Sequence, residues 1–499
     1  MKRQVIFYLA IVILVSAGFQ SLAARQMSFW YDEAFSAAAA GQGLEALPQT
    51  VAEDIHPPLW VYLLSAWGNL FGYDEVGLRS LSIVFAVLAL LLTFWLARDL
   101  LDQRAALASV AVLGLSPLFI MFAHNARYYA LSACLALIAT WAMTRHQASG
   151  KLRYLLLYGL ACIAFLYLIY TAAIVILLCN VWWLGLWIRD RPRSPERLAA
   201  WLVAQAAIFL AYLPGLFLLL QTMGRISDTT LVPAWALELS KRLGYSAYVF
   251  GVGETLSPLN PAAWLGLGVV GGLFLWAVVI HRRRSGIWLA ASFFAGILIL
   301  NGALSLNSAV SLTWQSLPVR AFYALPYLAI CLGAGLAAMR PRIALAAAAL
   351  LLLVYAVASW NYFTGRQFLR PMIAVPWQEV FDQIQESAQP DSQVICGRGD
   401  YACQYYAQRF GFLPYTASQF TELSRRGGGE IWWVQTNLGA GTAGDKEEQG
   451  FLQAALAGRL EVKVANYAPQ DASIRWLKSR LLGQEDYAYR VQVYRFSLP

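Results

Sequence analysis

Apolar runs long enough to cross a bilayer recur along the first 360 residues. A membrane helix needs about 20 apolar residues. The pattern predicts spans near 5–24, 79–97, 105–123, 128–144, 154–170, 172–188, 198–221, 262–280, 286–305, 320–339 and 343–360. The first follows Met1-Lys2-Arg3, as the apolar stretch of a signal peptide would. No clear small-x-small cleavage site precedes Arg25 and further spans follow, so it is read as a membrane helix. Residues 57–71 are apolar but short, and read as an interfacial or partly inserted helix on the outer face.

After residue 361 the pattern shortens. Trp377, Val380, Phe381 and Ile384 mark an amphipathic helix over 377–388. Strands are expected at 393–397, 430–435, 460–466 and 487–496, with helices at 400–410, 446–457 and 471–482. Gly427-Gly428-Gly429 reads as a loop, because no Gly-Lys-Ser/Thr follows to make a phosphate cradle. The fold class is therefore mainly α: a polytopic membrane protein of about eleven transmembrane helices plus outer-face interfacial helices, with a C-terminal soluble α/β domain. The domains are read as 1–360 and 361–499, the first outer loop being 25–78.

Composition supports this division. Apolar residues make up 59% of the chain and charged residues 13%, whereas a soluble domain is about 45–50% apolar and about 25% charged. The net charge of +9 belongs wholly to residues 1–360, which hold 23 Lys+Arg and 14 Asp+Glu; the tail balances 14 against 14. No basic groove or motif points to nucleic acid. With the N-terminus in the cytoplasm, the inside loops carry 16 of those 23 basic residues, as the positive-inside rule requires. Counting 57–71 as a span would put Arg189–Arg197 and Arg282-Arg283-Arg284 outside. The expected place is thus a bacterial-type inner (plasma) membrane, with the tail extracytoplasmic. Cys134, Cys162, Cys179 and Cys331 fall in spans as apolar filler. Cys396 and Cys403 lie in the tail, where a disulfide is permitted.

Candidate chemistry gathers at the outer edge. Trp30-Tyr31-Asp32-Glu33 follows the first span, and Glu53-Asp54-Ile55-His56-Pro57-Pro58-Leu59-Trp60 follows within the same loop. Acids beside aromatics at a membrane surface are costly unless paired or used. The plainer reading is that Asp32 and Glu33 sit at a helix N-terminus, where acids are favoured, and that His56 is an interfacial residue before a proline helix start. Arg127, in His124-Asn125-Ala126-Arg127-Tyr128-Tyr129, and Arg320 stand at the outer edge against the positive-inside trend. A cation there needs a structural acid or an anionic ligand. Arg79 is a further outer basic residue, which nearby Asp74 and Glu75 could explain.

Asp32-Glu33, His56-Pro57-Pro58-Leu59, Leu78-Arg79-Ser80-Leu81-Ser82, Ser116-Pro117 and Ala126-Arg127-Tyr128-Tyr129-Ala130-Leu131 occur in this order on one hydropathy pattern. Together they resemble the GT-C superfamily of polytopic glycosyltransferases, in the bacterial branch related to protein O-mannosyltransferases and lipid A aminoarabinose transferases. The resemblance runs over about 1–360. It implies a polyprenyl-phosphate-linked sugar as donor, inversion at the anomeric carbon, and an envelope acceptor (lipid, glycan or protein) on the outer face. Asp32 would act on the acceptor, with Glu33 as the second acid of the pair. Arg127, Arg320 and Tyr128 would bind the donor phosphate, and Trp30, Tyr31, Asp54 and His56 would line the substrate loop. Many relatives carry an acid where this chain has Asn125, which leaves a divalent cation open; Asp54 and His56 are its candidate ligands. Rival readings are a lipid-linked sugar transporter or flippase and a degenerate scaffold. The ionisable residues gather at one face and no internal repeat is visible, which favours an interfacial enzyme.

Overall fold

The structure is a computed structural model of the 499-residue chain. It describes residues 3–49, 56–189, 194–225, 234–307, 316–397, 400–416, 419, 429–436, 462–467, 474, 476, 480 and 491–498. The chain divides into two compact units, Met1–Ala24 with Ala40–Trp360, and Arg25–Ala39 with Asn361–Pro499.

Helices come first in chain order: α1 (Arg3–Gln26), α2 (Tyr31–Gly41), α3 (Leu59–Phe71), α4 (Glu75–Leu100), α5 (Gln103–Leu115), α6 (Pro117–Phe122), α7 (Tyr129–Ser149) and α8 (Leu152–Leu168). There follow α9 (Ala172–Arg189), α10 (Pro195–Arg225), α11 (Trp235–Val252), α12 (Pro261–Ile280), α13 (Ser285–Leu304), α14 (Leu317–Arg320), α15 (Leu325–Ala337) and α16 (Pro341–Phe363). The tail holds α17 (Trp377–Ser387), β1 (Gln393–Cys396), α18 (Tyr401–Arg409), β2 (Pro414–Tyr415), β3 (Gly429–Thr436), β4 (Val462–Tyr467) and β5 (Val491–Leu498).

Among the described residues, seven helices are long and apolar enough to cross a membrane: α1, α4, α9, α10, α12, α13 and α16. Shorter apolar helices join them, including α5, α8 and the stretch Phe322–Ala337. Large apolar side chains such as Leu14 (71% exposed), Leu160 (67%) and Leu345 (72%) point away from the protein. Such a surface suits lipid and not water, and the chain is a multi-pass membrane protein. At 13 residues, α3 spans only about 20 Å at the helical rise of about 1.5 Å per residue, too short to cross.

Local chemistry sets the helix ends. The Asp74 carboxylate accepts from the Gly77 amide at 2.7 Å and starts α4. Asp102 accepts from Arg104 and Ala105, both at 3.0 Å, and starts α5. These are N-caps, each satisfying amides the helix leaves open. The expected single span over 105–123 is instead two helices. Ser116 is extended and Pro117 opens α6, because proline lacks an amide and disfavours helical backbone in the residue before it. Likewise the expected span over 320–339 begins with α14 and a 3₁₀ turn at Phe322–Ala324 before α15. Helix α11 has no counterpart in the hydropathy pattern, since Glu238, Lys241 and Arg242 interrupt its apolar residues.

Close helix packing in the first unit depends on small residues. A Cβ on Gly333 of α15 would lie 2.5 Å from the Ser109 amide nitrogen and 2.7 Å from the Ala105 carbonyl oxygen of α5. Those are backbone atoms that cannot rotate away. Gly333→Ala is expected to cost about 1–3 kcal/mol through overpacking, read as a lower Tm in detergent; an unchanged Tm would mean that α5 and α15 separate freely.

In the second unit, the sheet order is β2-β1-β3-β5-β4. Strand β1 is parallel to β2 and β3, and β5 is antiparallel to β3 and β4. Buried Glu430 of β3 accepts from Ser392 Oγ (2.7 Å), the Gln389 amide (3.1 Å) and Trp432 Nε1 (3.0 Å), and pairs with Arg495. Helix α17 buries Trp377, Val380, Phe381 and Ile384, as its periodicity predicts, and Phe381 stacks on Tyr406 of α18. The last strand lies at 491–498 and not at 487–496, β2 adds an unexpected edge, and Gly429 opens β3. Gly427, Gly428 and the expected helix at 446–457 lie outside the described residues; of the one at 471–482, Ile474, Trp476 and Arg480 are described, all helical. Cys396 and Cys403 form a disulfide.

Candidate active site

Two clusters contain the residues singled out by sequence, one in each unit. In the first unit the centre is the turn 123–128 between α6 and α7. Three of the quoted strings meet there. Trp60 Nε1 of α3 donates to the Ala126 carbonyl at 3.2 Å, and Ser82 Oγ of α4 donates to the Asn125 carbonyl at 2.6 Å. The Arg127 amide closes on the Asn125 carbonyl at 2.5 Å. A turn whose carbonyls are held from two neighbouring helices is fixed in place before any ligand arrives, the kind of preorganisation an active site uses.

Arg127 is only 5% exposed, and its Cζ lies 5.2 Å from the centroid of the Tyr128 ring, a cation–π distance. Tyr128 packs edge-on against Tyr129 at 5.1 Å. Tyr129 and Phe119 both reach Phe322, two residues after half-buried Arg320. The segments carrying Arg127 and Arg320 are thus neighbours through one aromatic cluster.

His124 is fully buried, and its Nδ1 donates to the Ile120 carbonyl at 2.9 Å. Burial, and after it the Arg79 charge, pulls its pKa down to about 3. The ring is therefore neutral at physiological pH, and arginines supply the positive charge. Arg79 is 1% exposed and donates to the Ala24 carbonyl, at the end of α1, at 3.2 Å. Asp74 caps α4, and the contact of Arg79 to the end of α1 is one that sequence spacing does not reveal.

His56 is half-buried just before α3. Asp54 lies outside the described residues. No group of three or more His, Cys, Asp or Glu side chains suited to a metal ion occurs among the described residues.

Sequence reading passed over Arg242. It lies on α11, is 6% exposed, donates to Ser305 Oγ at 3.2 Å and stands 4.0 Å from Glu238. Buried Glu254 and Thr255 follow in the segment after α11. Thr255 donates to the Ala358 carbonyl at 2.7 Å, and Gly253 takes φ +86° against Pro117 of α6, a conformation glycine adopts without strain. The available signal was another adjacent pair of cations, Lys241-Arg242.

In the second unit, the Trp30 carbonyl accepts from the Glu33 and Ala34 amides, both at 3.0 Å, and starts α2. Asp32 and Glu33 thus occupy its first turn, where the helix dipole favours acids. Glu33 is fully buried, whereas Asp32 is half-buried. Trp30 is buried, and Arg370, also unremarked in the sequence, places Cζ 5.9 Å from the centroid of its ring. The Tyr31 phenol is pushed up to about 12, chiefly by burial and further by Tyr401, Asp32 and Asp400. It is a neutral hydroxyl at physiological pH.

Residues 55–216 match the family model of dolichyl-phosphate-mannose-protein mannosyltransferases. The structure is similar to ArnT from Cupriavidus metallidurans in the apo state, with a TM-score of 0.61 and 14% identity over 98% of this chain and 97% of that one. It is similar to the same enzyme bound to undecaprenyl phosphate, with a TM-score of 0.55 and 13% identity over 98% of each chain. A third likeness is to the archaeal oligosaccharyltransferase AglB from Archaeoglobus fulgidus, in complex with an inhibitory peptide and a dolichol-phosphate. There the TM-score is 0.50 and the identity 12%, over 87% of this chain and 69% of that one. No curated protein sequence matches significantly. The chain has an ArnT-like polytopic fold, in line with the resemblance its sequence carries.

Proposed function

We propose that this GT-C chain is an inverting membrane glycosyltransferase that moves a sugar from a polyprenyl phosphate to an envelope acceptor on the extracytoplasmic face. The observation that carries the reading is the turn 123–128, anchored by Trp60 and Ser82, which holds buried Arg127 in place. That turn lies within the stretch matching the mannosyltransferase family. The two structural relatives were captured with undecaprenyl phosphate and dolichol-phosphate, which supports a lipid phosphate as the leaving group. The basic inside loops support the orientation.

In the reaction, Asp32 takes the proton of an acceptor hydroxyl. The acceptor oxygen attacks the anomeric carbon while the bond from that carbon to the phosphate oxygen breaks. The sugar inverts, and polyprenyl phosphate leaves with the electron pair. Arg127 and Arg320 offset the charge that develops on the phosphate, a task for a guanidinium because it stays ionised and binds two oxygens at once. Tyr128 steadies Arg127 through its ring face. Glu33 supports Asp32 from its buried position, and Trp30, Tyr31, Asp54 and His56 belong to the loop that meets the sugars.

Purified protein incubated with a panel of polyprenyl phospho-sugars and an envelope extract should consume one of them and release polyprenyl phosphate. Failure to release it from any donor, together with protein-dependent movement of the intact donor between leaflets, would instead indicate a transporter.

A further inference from the structure

The tail's role is visible inside the second unit, where residues 29–35 are gripped by one face of α18. Tyr401 meets the edge of Tyr31 with ring centroids 5.5 Å apart and that of Phe35 at 4.9 Å. One turn on, Tyr405 meets Phe29 at 5.3 Å. The Tyr406 hydroxyl accepts a 2.7 Å hydrogen bond from the Phe29 amide. These contacts flank Asp32 in sequence on both sides.

Helix α18 is itself fastened at its start. The buried Asp400 carboxylate accepts from the Cys403 amide at 3.2 Å and from Thr436 Oγ1 of β3 at 2.7 Å. The Cys396–Cys403 disulfide ties the same turn of α18 to the end of β1. Asp400, Thr436 and the disulfide thus fix the N-terminus of α18 to two adjacent strands of the sheet. A disulfide persists in an oxidising compartment and not in the cytosol, in keeping with an extracytoplasmic tail.

We infer that α18, stapled to the sheet by Cys396–Cys403, is a clamp that positions the Asp32 carboxylate, with Tyr401 and Tyr406 as positioning residues. This rests on the assignment of Asp32 as base. A general base acts only within hydrogen-bond reach of the proton it removes, and displacement of about 1 Å can cost about 10²-fold. Half-buried Asp32 stands in the first turn of a short helix, and the residues on both sides of it are the ones α18 holds. The tail supplies that restraint, and the disulfide makes the restraint depend on the compartment in which the chain has folded.

The test uses the full-length protein in detergent or nanodiscs, with four variants: Tyr406→Phe, Tyr401→Ala, Tyr401→Phe and the double variant Cys396→Ser/Cys403→Ser. Two readouts are followed, transfer kinetics and hydrogen–deuterium exchange of the 28–38 peptide. Tyr406→Phe, Tyr401→Ala and the double serine variant should lower kcat about 10- to 100-fold with donor KM unchanged, and speed exchange in that peptide. Tyr401→Phe, which keeps the ring, should restore both. A purely structural role would lower the folded fraction and leave kcat per folded molecule alone. Unchanged exchange at 28–38 in the three disruptive variants overturns the clamp whatever the activity. Active Asp32→Asn with accelerated exchange in the clamp variants would remove the base assignment and leave the clamp as a device for holding the loop.

Discussion

Asp32→Asn is expected to lower transfer by about 10²–10⁴-fold, the usual worth of a positioned general base, while donor binding and folding persist. Asparagine keeps the shape of aspartate and cannot accept a proton at neutral pH. Asp32 is half-buried and stands in the first turn of α2, where losing the favourable interaction of an acid with the helix N-terminus costs about 0.3–1 kcal/mol. The measurement is release of polyprenyl phosphate at saturating donor, alongside a thermal melt. Glu33 provides the contrast. Its side chain is fully buried, so Glu33→Gln should show its effect in the melt as well as in the rate. Undiminished transfer by folded Asp32→Asn would remove the base from the mechanism.

Arg127→Gln should lower transfer by about 10²–10³-fold, the loss typical when one preorganised charge-stabilising donor is removed. The guanidinium is buried on a turn held from two helices, so no other side chain swings into its place without rebuilding the turn. Because the phosphate is charged in both the bound donor and the transition state, binding of polyprenyl phosphate should weaken too. Arg127→Lys should fall between, since an ammonium keeps the charge and loses the planar fork. Titration of each variant with polyprenyl phosphate in detergent, followed by tryptophan fluorescence, checks the binding arm. Wild-type affinity in folded Arg127→Gln would move the phosphate to other cations, and buried Arg242 is then the next residue to replace.

How far the site could be read in advance differs from residue to residue. Asp32 and Arg127 stood out because each breaks a rule of its surroundings, an acid next to a span and a cation on the outer edge. Arg79 broke the same rule, yet the structure uses it to bind the Ala24 carbonyl. Sequence spacing sees that Arg79 is unusual and cannot say which backbone carbonyl 55 residues away receives it. Arg242 was passed over because α11 mixes charges into its apolar positions and so resembles a polar loop. The Ser116-Pro117 break carried a clear proline signal, but a continuous hydropathy run hid it.

Most of the apolar helices were placed by the amino-acid order alone, whereas the breaks at Ser116-Pro117 and Phe322–Ala324 and the charged helix α11 were not. In a bilayer each helix must satisfy its own backbone groups within the segment, so the length of an apolar run is enough to place one. The amphipathic helix at 377 and most strands of the tail follow from periodicity for the same local reason. What the order could not decide is every arrangement that joins distant parts of the chain. These are the meeting of three short strings at the turn 123–128, the grouping of residues 25–39 with the tail, and the hydrogen bond that joins Phe29 to Tyr406 across 377 positions. Such contacts carry no periodic signature, because their energy comes from packing and desolvation that exist only once the chain is folded.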